Sequence, residues 1–519
     1  MKELWLDRRK ARLILLSSLF FLLAAHLYRW VNTMYSHDSL LIIQDDWVWQ
    51  ISLGRIFNPL YVRLRGNILA PMNVALFSSA FLILSAALVV RILRLEKTAS
   101  IIMCCGFLIT FETIAYVNGM FLHSLDLDML ALLFSVLAAY FLTGKANFWR
   151  YAAGVLCVTA SLGLFQTYIE VTIMLICLEL LREVLEGGDP KKLFFKGLRC
   201  SGMLILGGVL YYICLKTVLK VTGIAPAETY NGLVQMKTLT LPAMLSLAKD
   251  AWISTLRYLF SDSLIAHRSI SRWVYRLLGL SSLFIIVRTA VKKRLRFGAS
   301  ALVVFLLLAM PLGGNSVYVL SQGLKHNIMT YSFVFFSVLF VMAFDMLETD
   351  GGAALWLQRA IPLLCAVLLL NHVLFANQWY IRNDLYSRAG MSFMTRLVSD
   401  MEEAEGYEVG KTPVLILGCI DENPSAAVDE RFEIVGDGMR HRFAVSYYQT
   451  YDHFFRYILG YSVNLVPLRE VGAYLDDPQI RAMAVYPAPG SVQMIRGVLV
   501  VRLSRDLRPE EYRYNISSD

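Results

Sequence analysis

Eleven stretches of the chain are strongly apolar, at roughly residues 13–34, 69–90, 98–117, 127–143, 151–167, 169–182, 200–219, 271–287, 298–314, 328–347 and 358–377. Polar stretches in which lysine and arginine recur separate them. About 20 apolar residues in a helix span the ~30 Å hydrocarbon layer of a bilayer. The pattern therefore predicts a polytopic α-helical membrane protein with about eleven transmembrane helices. Several windows are short, so their ends are read loosely. The fifth and sixth must turn tightly around Gln166-Thr167-Tyr168.

The polar stretches give an orientation. Arg8, Arg9, Lys10 and Arg12 precede the first window; Arg91, Arg94 and Lys97 follow the second. Lys145 and Arg150 follow the fourth, Lys191, Lys192, Lys196 and Arg199 the sixth, and Lys292, Lys293, Arg294 and Arg296 the eighth. All fall on one side if the N-terminus is cytoplasmic, as the positive-inside bias requires. An odd number of crossings then places the C-terminal tail outside. No small-x-small cleavage site follows Tyr28-Arg29-Trp30, so the first window is expected to be a retained helix rather than a signal peptide.

This reading divides the chain into a membrane domain, 1–377, with long outer loops at 35–68 and 220–270, and an extracytoplasmic domain, 378–519. In the first loop Trp47, Trp49 and Tyr61 suit a stretch lying at the membrane interface. The second contains Pro226, Pro242 and an amphipathic run from Pro242 to Phe260. In the tail, 391–405, 448–459 and 468–483 read as helices, and 413–418 and 497–503 as strands. A small α/β domain follows.

Composition agrees. Of 519 residues, 57% are hydrophobic and 17% charged, against roughly half and a quarter in a soluble domain. The net charge of +9 would suit nucleic acid, but the basic residues cluster between apolar windows as topology signals do, so no nucleic-acid partner is expected. Seven of the eight cysteines lie in or beside apolar segments, and Cys419 stands alone in the tail, which gives neither a disulfide framework nor a CxxC metal site.

Ionisable residues in or beside membrane segments are costly and default to functional candidates. The first loop is richest: His37-Asp38, Asp45-Asp46, Gly54-Arg55 and Arg63-Leu64-Arg65. A carboxylate there can act as a general base, and an arginine can hold a phosphate through paired hydrogen bonds. A solvated loop with surface ion pairs is the other reading, and charge content alone does not separate the two. Asp126 and Asp128 form a D-x-D at the outer start of the fourth helix. Such a pair can bind a divalent metal that bridges a phosphate, although an acid at a helix start is more often a cap. Glu112 sits deep in an apolar window and needs a partner. Gln166, Tyr168 and Glu170 mark an outer turn. Lys325-His326, at the outer start of the tenth helix, could meet a lipid phosphate or snorkel to headgroups. No GxGxxG, P-loop or Ser/His/Asp order is present.

Taken together these residues resemble the bacterial membrane glucosyltransferases of the O-antigen, serotype-converting type (type II). The similarity lies in the order of elements: Asp38, then Trp49, then Gly54-Arg55; Phe111-Glu112-Thr-Ile-Ala-Tyr116 leading to Asp126; Leu162-Gly163-Leu164-Phe165-Gln166-Thr167-Tyr168; and Asn377-Gln378-Trp379-Tyr380 before Met394-Thr395-Arg396. The chain departs from the pattern in its acidic motif. The family often shows paired aspartates, whereas His37-Asp38 stands at that spacing here and the pair Asp45-Asp46 comes seven residues later.

The resemblance implies a GT-C-like enzyme of the bacterial plasma membrane. Such an enzyme takes a hexose, glucose in this family, from a polyprenyl-phosphate donor to a cell-surface glycan acceptor on the outer face. Asp38, Asp45 and Asp46 are then the candidates for the base, with Asp38 preferred for its spacing and its nearness to the anchored end of the first helix. Arg55, Arg65, Glu112, Asp126, Asp128, Gln166, Lys325 and His326 are the candidates for substrate binding. A transporter or flippase of lipid-linked sugar would need polar residues well inside the bundle and repeat symmetry, and no repeat is visible. A polymerase or ligase of surface polysaccharide shares the lipid-linked substrate and is not separated by composition.

Overall fold

The computed structural model describes residues 7–227, 240–262, 269–323, 326–349, 351–423, 425, 443–445 and 448–507. In chain order its α-helices as far as residue 402 are α1 (Arg8–Val31), α2 (Trp47–Ser52), α3 (Asn58–Arg65), α4 (Pro71–Ile92), α5 (Thr98–Thr110), α6 (Glu112–Met120), α7 (Leu122–Thr143), α8 (Phe148–Leu164), α9 (Ile169–Leu185), α10 (Pro190–Thr222), α11 (Leu241–Arg257), α12 (Ser269–Lys292), α13 (Phe297–Gly313), α14 (Ser316–Leu320), α15 (Val334–Met346) and α16 (Gly352–Glu402).

Every apolar window falls on a helix. Seven stretches are long and apolar enough to cross a membrane: α1, α4, α5 and α6 taken together, α7, α10, α12 and α16. The other four windows fall on α8, α9, α13 and α15, of 17, 17, 17 and 13 residues, short of the ~20 that a perpendicular crossing takes. The outer faces are apolar. On α1, Leu15, Leu16, Leu19, Phe20 and Leu23 are exposed, while Ile14, Leu22 and Ala25 are buried. Contiguous exposed apolar surface of this extent belongs to a lipid solvent.

The chain divides into two compact units, each described by itself. The first comprises residues 1–27, 44–118 and 124–377. Its helices pack through small and hydroxylated residues, as lipid-embedded helices do. The Ser135 and Ser161 hydroxyls lie 2.7 Å apart, and Thr172 donates to the Ser135 carbonyl at 2.9 Å, which ties α7, α8 and α9. At Gly207 an added Cβ would lie 2.5 Å from Val158, so α10 meets α8 at closest approach there. At one end of the unit Asp345 accepts from the backbone N–H groups of Glu96 (3.0 Å) and Lys97 (2.9 Å) and from Arg182 (3.3 Å). Of the second long loop, 228–239 and 263–268 lie outside the described residues. Its amphipathic run forms α11, whose Trp252 ring nitrogen donates to the Leu308 carbonyl of α13 at 2.9 Å.

The second unit comprises residues 28–43, 119–123 and 378–519. Its sheet has the order β2-β1-β4-β3, built from β1 (Pro413–Leu417), β2 (Asn464–Leu465), β3 (Val492–Ile495) and β4 (Val498–Arg502). β1 runs parallel to β2 and β4, and β3 and β4 form an antiparallel hairpin. Alternation along the central strands supplies two cores. Val414, Ile416, Leu499 and Val501 pack with Phe393, Met394 and Leu397 of α16. Leu415, Leu417, Val498 and Val500 pack with Val471 and Ile480. Leu40, from the segment after α1, is fully buried in the first of these cores.

Three expectations change. The windows 358–377 and 391–405 are one helix of 51 residues, because nothing between them, with Gly390 alone, stops a helix. The window 98–117 is broken at Phe111, whose extended backbone (ψ 139°) ends α5 and lets α6 start at Glu112. The run 468–483 is three short pieces, Leu468–Val471, Gly472–Tyr474 and Pro478–Ala482, the last restarted by Asp477 as N-cap and Pro478 in the first turn.

Candidate functional site

In the first unit the loop after residue 43 brings most of the sequence candidates together. α3 presents Tyr61 and Arg65 on one face, since residues four apart neighbour each other on a helix. Arg65 donates to one carboxylate oxygen of Asp126, and Tyr61 donates to the other at 3.0 Å. The remaining arm of Arg65 reaches the side-chain carbonyl of Gln44. The Arg65 side chain is 1% exposed and that of Asp126 is fully buried. Burial, with the Asp126 charge second, raises the Tyr61 hydroxyl above the ordinary tyrosine range, so it stays a donor. Arg65 and Asp126 thus neutralise each other.

A second set forms around Arg55. Asp46 accepts from the Gln50 amide at 2.6 Å, and the Gln50 side-chain carbonyl accepts from Asn58 (3.2 Å) and Arg55 (3.4 Å). The Arg55 guanidinium lies over the Phe165 ring, 4.6 Å from its centroid. The turn that carries Arg55 is clamped by the α8–α9 turn and by α10. Gln166 donates to the Leu53 carbonyl at 3.0 Å, Tyr211 donates to the Gly54 carbonyl at 2.9 Å, and the Phe57 N–H donates to the Gly163 carbonyl at 3.0 Å. Gly54 is left-handed (φ 83°), a conformation glycine takes without steric cost. Gly163 faces the Phe57 ring so closely that an added Cβ would lie 2.3 Å away.

Asp128, buried two residues past Asp126, is hydrogen-bonded by Ser124 and feels the charge of Arg55. The D-x-D pair therefore diverges, with Asp126 turned to Arg65 and Tyr61 and Asp128 to Ser124 and Arg55. Among the described residues no group of three or more His, Cys, Asp or Glu side chains gathers in a way that could hold a metal. Tyr168, in the turn after Gln166, is 2% exposed, and its hydroxyl makes no hydrogen bond among the described residues. A buried hydroxyl left in that state is uncommon and calls for an explanation.

The other candidates lie elsewhere. Glu112 finds its partner in Tyr258, whose hydroxyl donates to it and lies 3.3 Å from the Thr330 hydroxyl, itself 2.8 Å from Thr113. Glu170 accepts from the Val317 N–H at 2.7 Å and from Ser332 at 3.2 Å. His326 rests edge-on to Tyr116, with its Nδ1 accepting from the Ile328 N–H at 3.3 Å. Lys325 lies outside the described residues. Asp45 is exposed.

Asp38 belongs to the second unit. It sits in a 3-10 turn, His37–Leu40, with the His37 Nε2 at 3.3 Å and its own side chain 44% exposed. The turn is pinned. The Ser36 hydroxyl bonds to the Met120 carbonyl, and the Tyr35 N–H donates to Ser387 at 2.9 Å.

Sequence reasoning singled out the charged members and Gln166, placed Tyr61 only at the membrane interface, and passed over Gln44, Gln50 and Tyr211, the other neutral groups that aim them. The four-residue spacing of Tyr61 and Arg65 was a usable signal; the two glutamines carried none. Residues 27–344, more than half of the chain, match the family model described as Glucosyl transferase GtrII. No curated protein and no solved structure matches the chain.

Proposed function

The chain belongs to the GtrII glucosyl transferase family, and on that premise we propose that it moves glucose from a polyprenyl-phosphate donor to a cell-surface glycan acceptor on the outer face of the bacterial plasma membrane. The observation that carries this reading is the placing of Arg55. Its guanidinium lies over the Phe165 ring beside a membrane-helix end, whereas Arg65, which lies over the Tyr61 ring, is already neutralised by Asp126. A donor phosphate at the membrane surface is the anion such a cation fits. The absence of a nucleotide-phosphate motif supports a lipid-linked donor.

In this reaction the acceptor hydroxyl oxygen bonds to the anomeric carbon as the bond from that carbon to the phosphate oxygen breaks. A first-loop carboxylate takes the hydroxyl proton, and the electron pair of the broken bond leaves with the polyprenyl phosphate. Arg55 stabilises the charge gathering on that phosphate. Asp38 suits a base because its carboxylate is accessible while its backbone is pinned. Tyr168 offers a buried O–H to a donor oxygen at little cost, since no hydrogen bond among the described residues must be given up. Asp128 balances Arg55 until the phosphate arrives.

The test is to incubate the purified protein with acceptor and polyprenyl-phosphate glucose, or with nucleotide-glucose and no lipid carrier. Release of polyprenyl phosphate with glucose on the acceptor is expected in the first case. Equal transfer from the nucleotide sugar without lipid would overturn the reading.

A further inference from the structure

A second polar site lies at the end of the first unit that carries the basic loops. Tyr140 stands in the last turn of α7, and two guanidinium groups rest on its ring. Arg91, from the last turn of α4, lies 5.5 Å from the ring centroid, and Arg150, from the first turn of α8, lies 5.0 Å from it. Both arginines are half-buried. A ring face attracts a cation, but two like charges held on one ring repel each other. Among the described residues neither guanidinium pairs with a carboxylate.

The Arg150 side chain is held in place. It donates to the Tyr140 carbonyl at 2.8 Å and lies 6.0 Å from the centroid of the Phe141 ring. It passes so close over Gly144 that an added Cβ there would overlap its guanidinium. Its Nε is buried and has no hydrogen bond among the described residues, an uncommon state for a buried donor. Capping the end of α7 accounts for one Arg150 donor. It accounts for none of Arg91, whose guanidinium makes no hydrogen bond among the described residues. A guanidinium is rich in N–H donors, and two of them without a carboxylate call for an anion within reach of both. The surroundings say which anion. Phe148 and Trp149, in the same turn as Arg150, are exposed, and α4 and α7 are each long and apolar enough to cross a membrane. Helix ends flanked by exposed aromatic rings are the level at which a membrane protein meets lipid phosphates.

We propose that Arg91 and Arg150, held on Tyr140, bind the phosphate of an anionic phospholipid headgroup. The chemistry they recognise is a phosphate oxyanion, which a free phosphate ion shares. Tyr140 and Asp126 lie near opposite ends of α7, about 21 Å apart along its axis. The site is therefore separate from the glucosyl-transfer residues, and it stands or falls independently of that reading.

The experiment titrates phosphatidylglycerol, or phosphatidylcholine, into the delipidated full-length protein in detergent and follows bound lipid by native mass spectrometry. The wild type is expected to bind one phosphatidylglycerol in preference to phosphatidylcholine. Arg91→Gln with Arg150→Gln should weaken that binding by roughly thirtyfold, through the loss of two cations near an anionic headgroup. Gly144→Ala removes no charge but pushes Arg150 off the ring. It should weaken binding as well, and it decides the question if the double variant fails to fold. Lys216→Gln, which removes a cation stacked on Tyr212 toward the far end of α10 from the basic loop, should change nothing. Displacement of the lipid by millimolar inorganic phosphate would assign the site to the free ion and overturn the lipid reading. Undiminished binding by the double variant or by Gly144→Ala, an equal loss in Lys216→Gln, or no headgroup preference would overturn the site.

Discussion

The side-chain amide of Gln166 donates to the Leu53 carbonyl at 3.0 Å, across 113 residues of sequence, and so holds the turn that aims Arg55. Gln166 makes its second hydrogen bond among the described residues to the Tyr211 hydroxyl at 3.1 Å. It is a positioning residue, and Gln166→Leu should cut kcat/KM for the lipid donor by roughly tenfold, the worth of about one net hydrogen bond. Arg55→Lys should lose a comparable amount, and adding it to Gln166→Leu should cost less than the sum. Full additivity in a double-mutant cycle would separate the two residues.

Tyr168→Phe removes a buried hydroxyl that has no hydrogen bond among the described residues. The midpoint of thermal unfolding in detergent should stay the same or rise, because an unsatisfied buried polar group is costly. Donor turnover should fall in the same protein. A variant that unfolds early while keeping its turnover would give Tyr168 a structural role only.

Arg65 and Asp126 are expected to act as a structural pair. Arg65→Ala leaves a buried carboxylate without its cation, a change worth about 3–5 kcal/mol. Replacing both with Met and Leu should recover much of that loss. The check is unfolding of both variants in detergent; a double variant as unstable as Arg65→Ala would contradict the pairing.

The order of apolar windows made nearly all of the helices legible, because lipid-facing segments need no partner to announce themselves. What stayed hidden depends on contacts between distant residues. The break at Phe111 has no proline or glycine to mark it, and it accompanies the pairing of Glu112 with Tyr258, 146 residues away. In the tail β1 and β4 stood out as apolar runs. β3 did not, because an edge strand carrying Gln493 has no such run, although the Arg496-Gly497 turn, with φ of 50° and 79°, is a two-residue hairpin signal. β2 has two residues and depends on the β1 edge. The acids and arginines were visible in the sequence because charge is costly beside lipid; of the amides and hydroxyls that orient them, Gln166 was visible in its polar turn, and Gln44, Gln50 and Tyr211 were not.

Orientation can be tested at exposed positions. Ser387 and Ser504 are buried, 6% and 1% exposed, and a reagent would miss them on either side of the membrane. Ser462 and Lys145 are exposed. A cysteine replacing Ser462 should react with an impermeant thiol reagent in intact cells, and one replacing Lys145 should react only after lysis. The reverse pattern would put the tail in the cytoplasm and end the outer-face reading.

The tail should weaken in alkali. Burial, then the hydrogen bond to Asp400 at 2.6 Å, raises the Tyr486 hydroxyl above its ordinary value. The folded state therefore holds this proton longer than the unfolded chain does. The associated stability is complete below the ordinary tyrosine pKa of ~10 and falls as pH rises beyond it. Tyr486→Phe should flatten that decline in an unfolding titration. An unchanged slope would remove Tyr486 as its source.

The identity of the base separates Asp38 from Asp45 and Asp46. Asp38→Asn should abolish transfer in a protein that still inserts and folds, and Asp45→Asn or Asp46→Asn should leave substantial activity in at least one case. An active Asp38→Asn beside an inactive Asp45→Asn or Asp46→Asn would move the chemistry to the paired aspartates.

The most direct test of the account is the rate at which protein in proteoliposomes releases polyprenyl phosphate from polyprenyl-phosphate glucose in the presence of acceptor. Wild type should release it in step with glucose appearing on the acceptor. Arg55→Gln should do so ten- to a hundredfold more slowly, the loss of a charge-assisted hydrogen bond on the order of 1.5–3 kcal/mol. Undiminished release by Arg55→Gln, or transfer that leaves the lipid donor intact, would contradict the account.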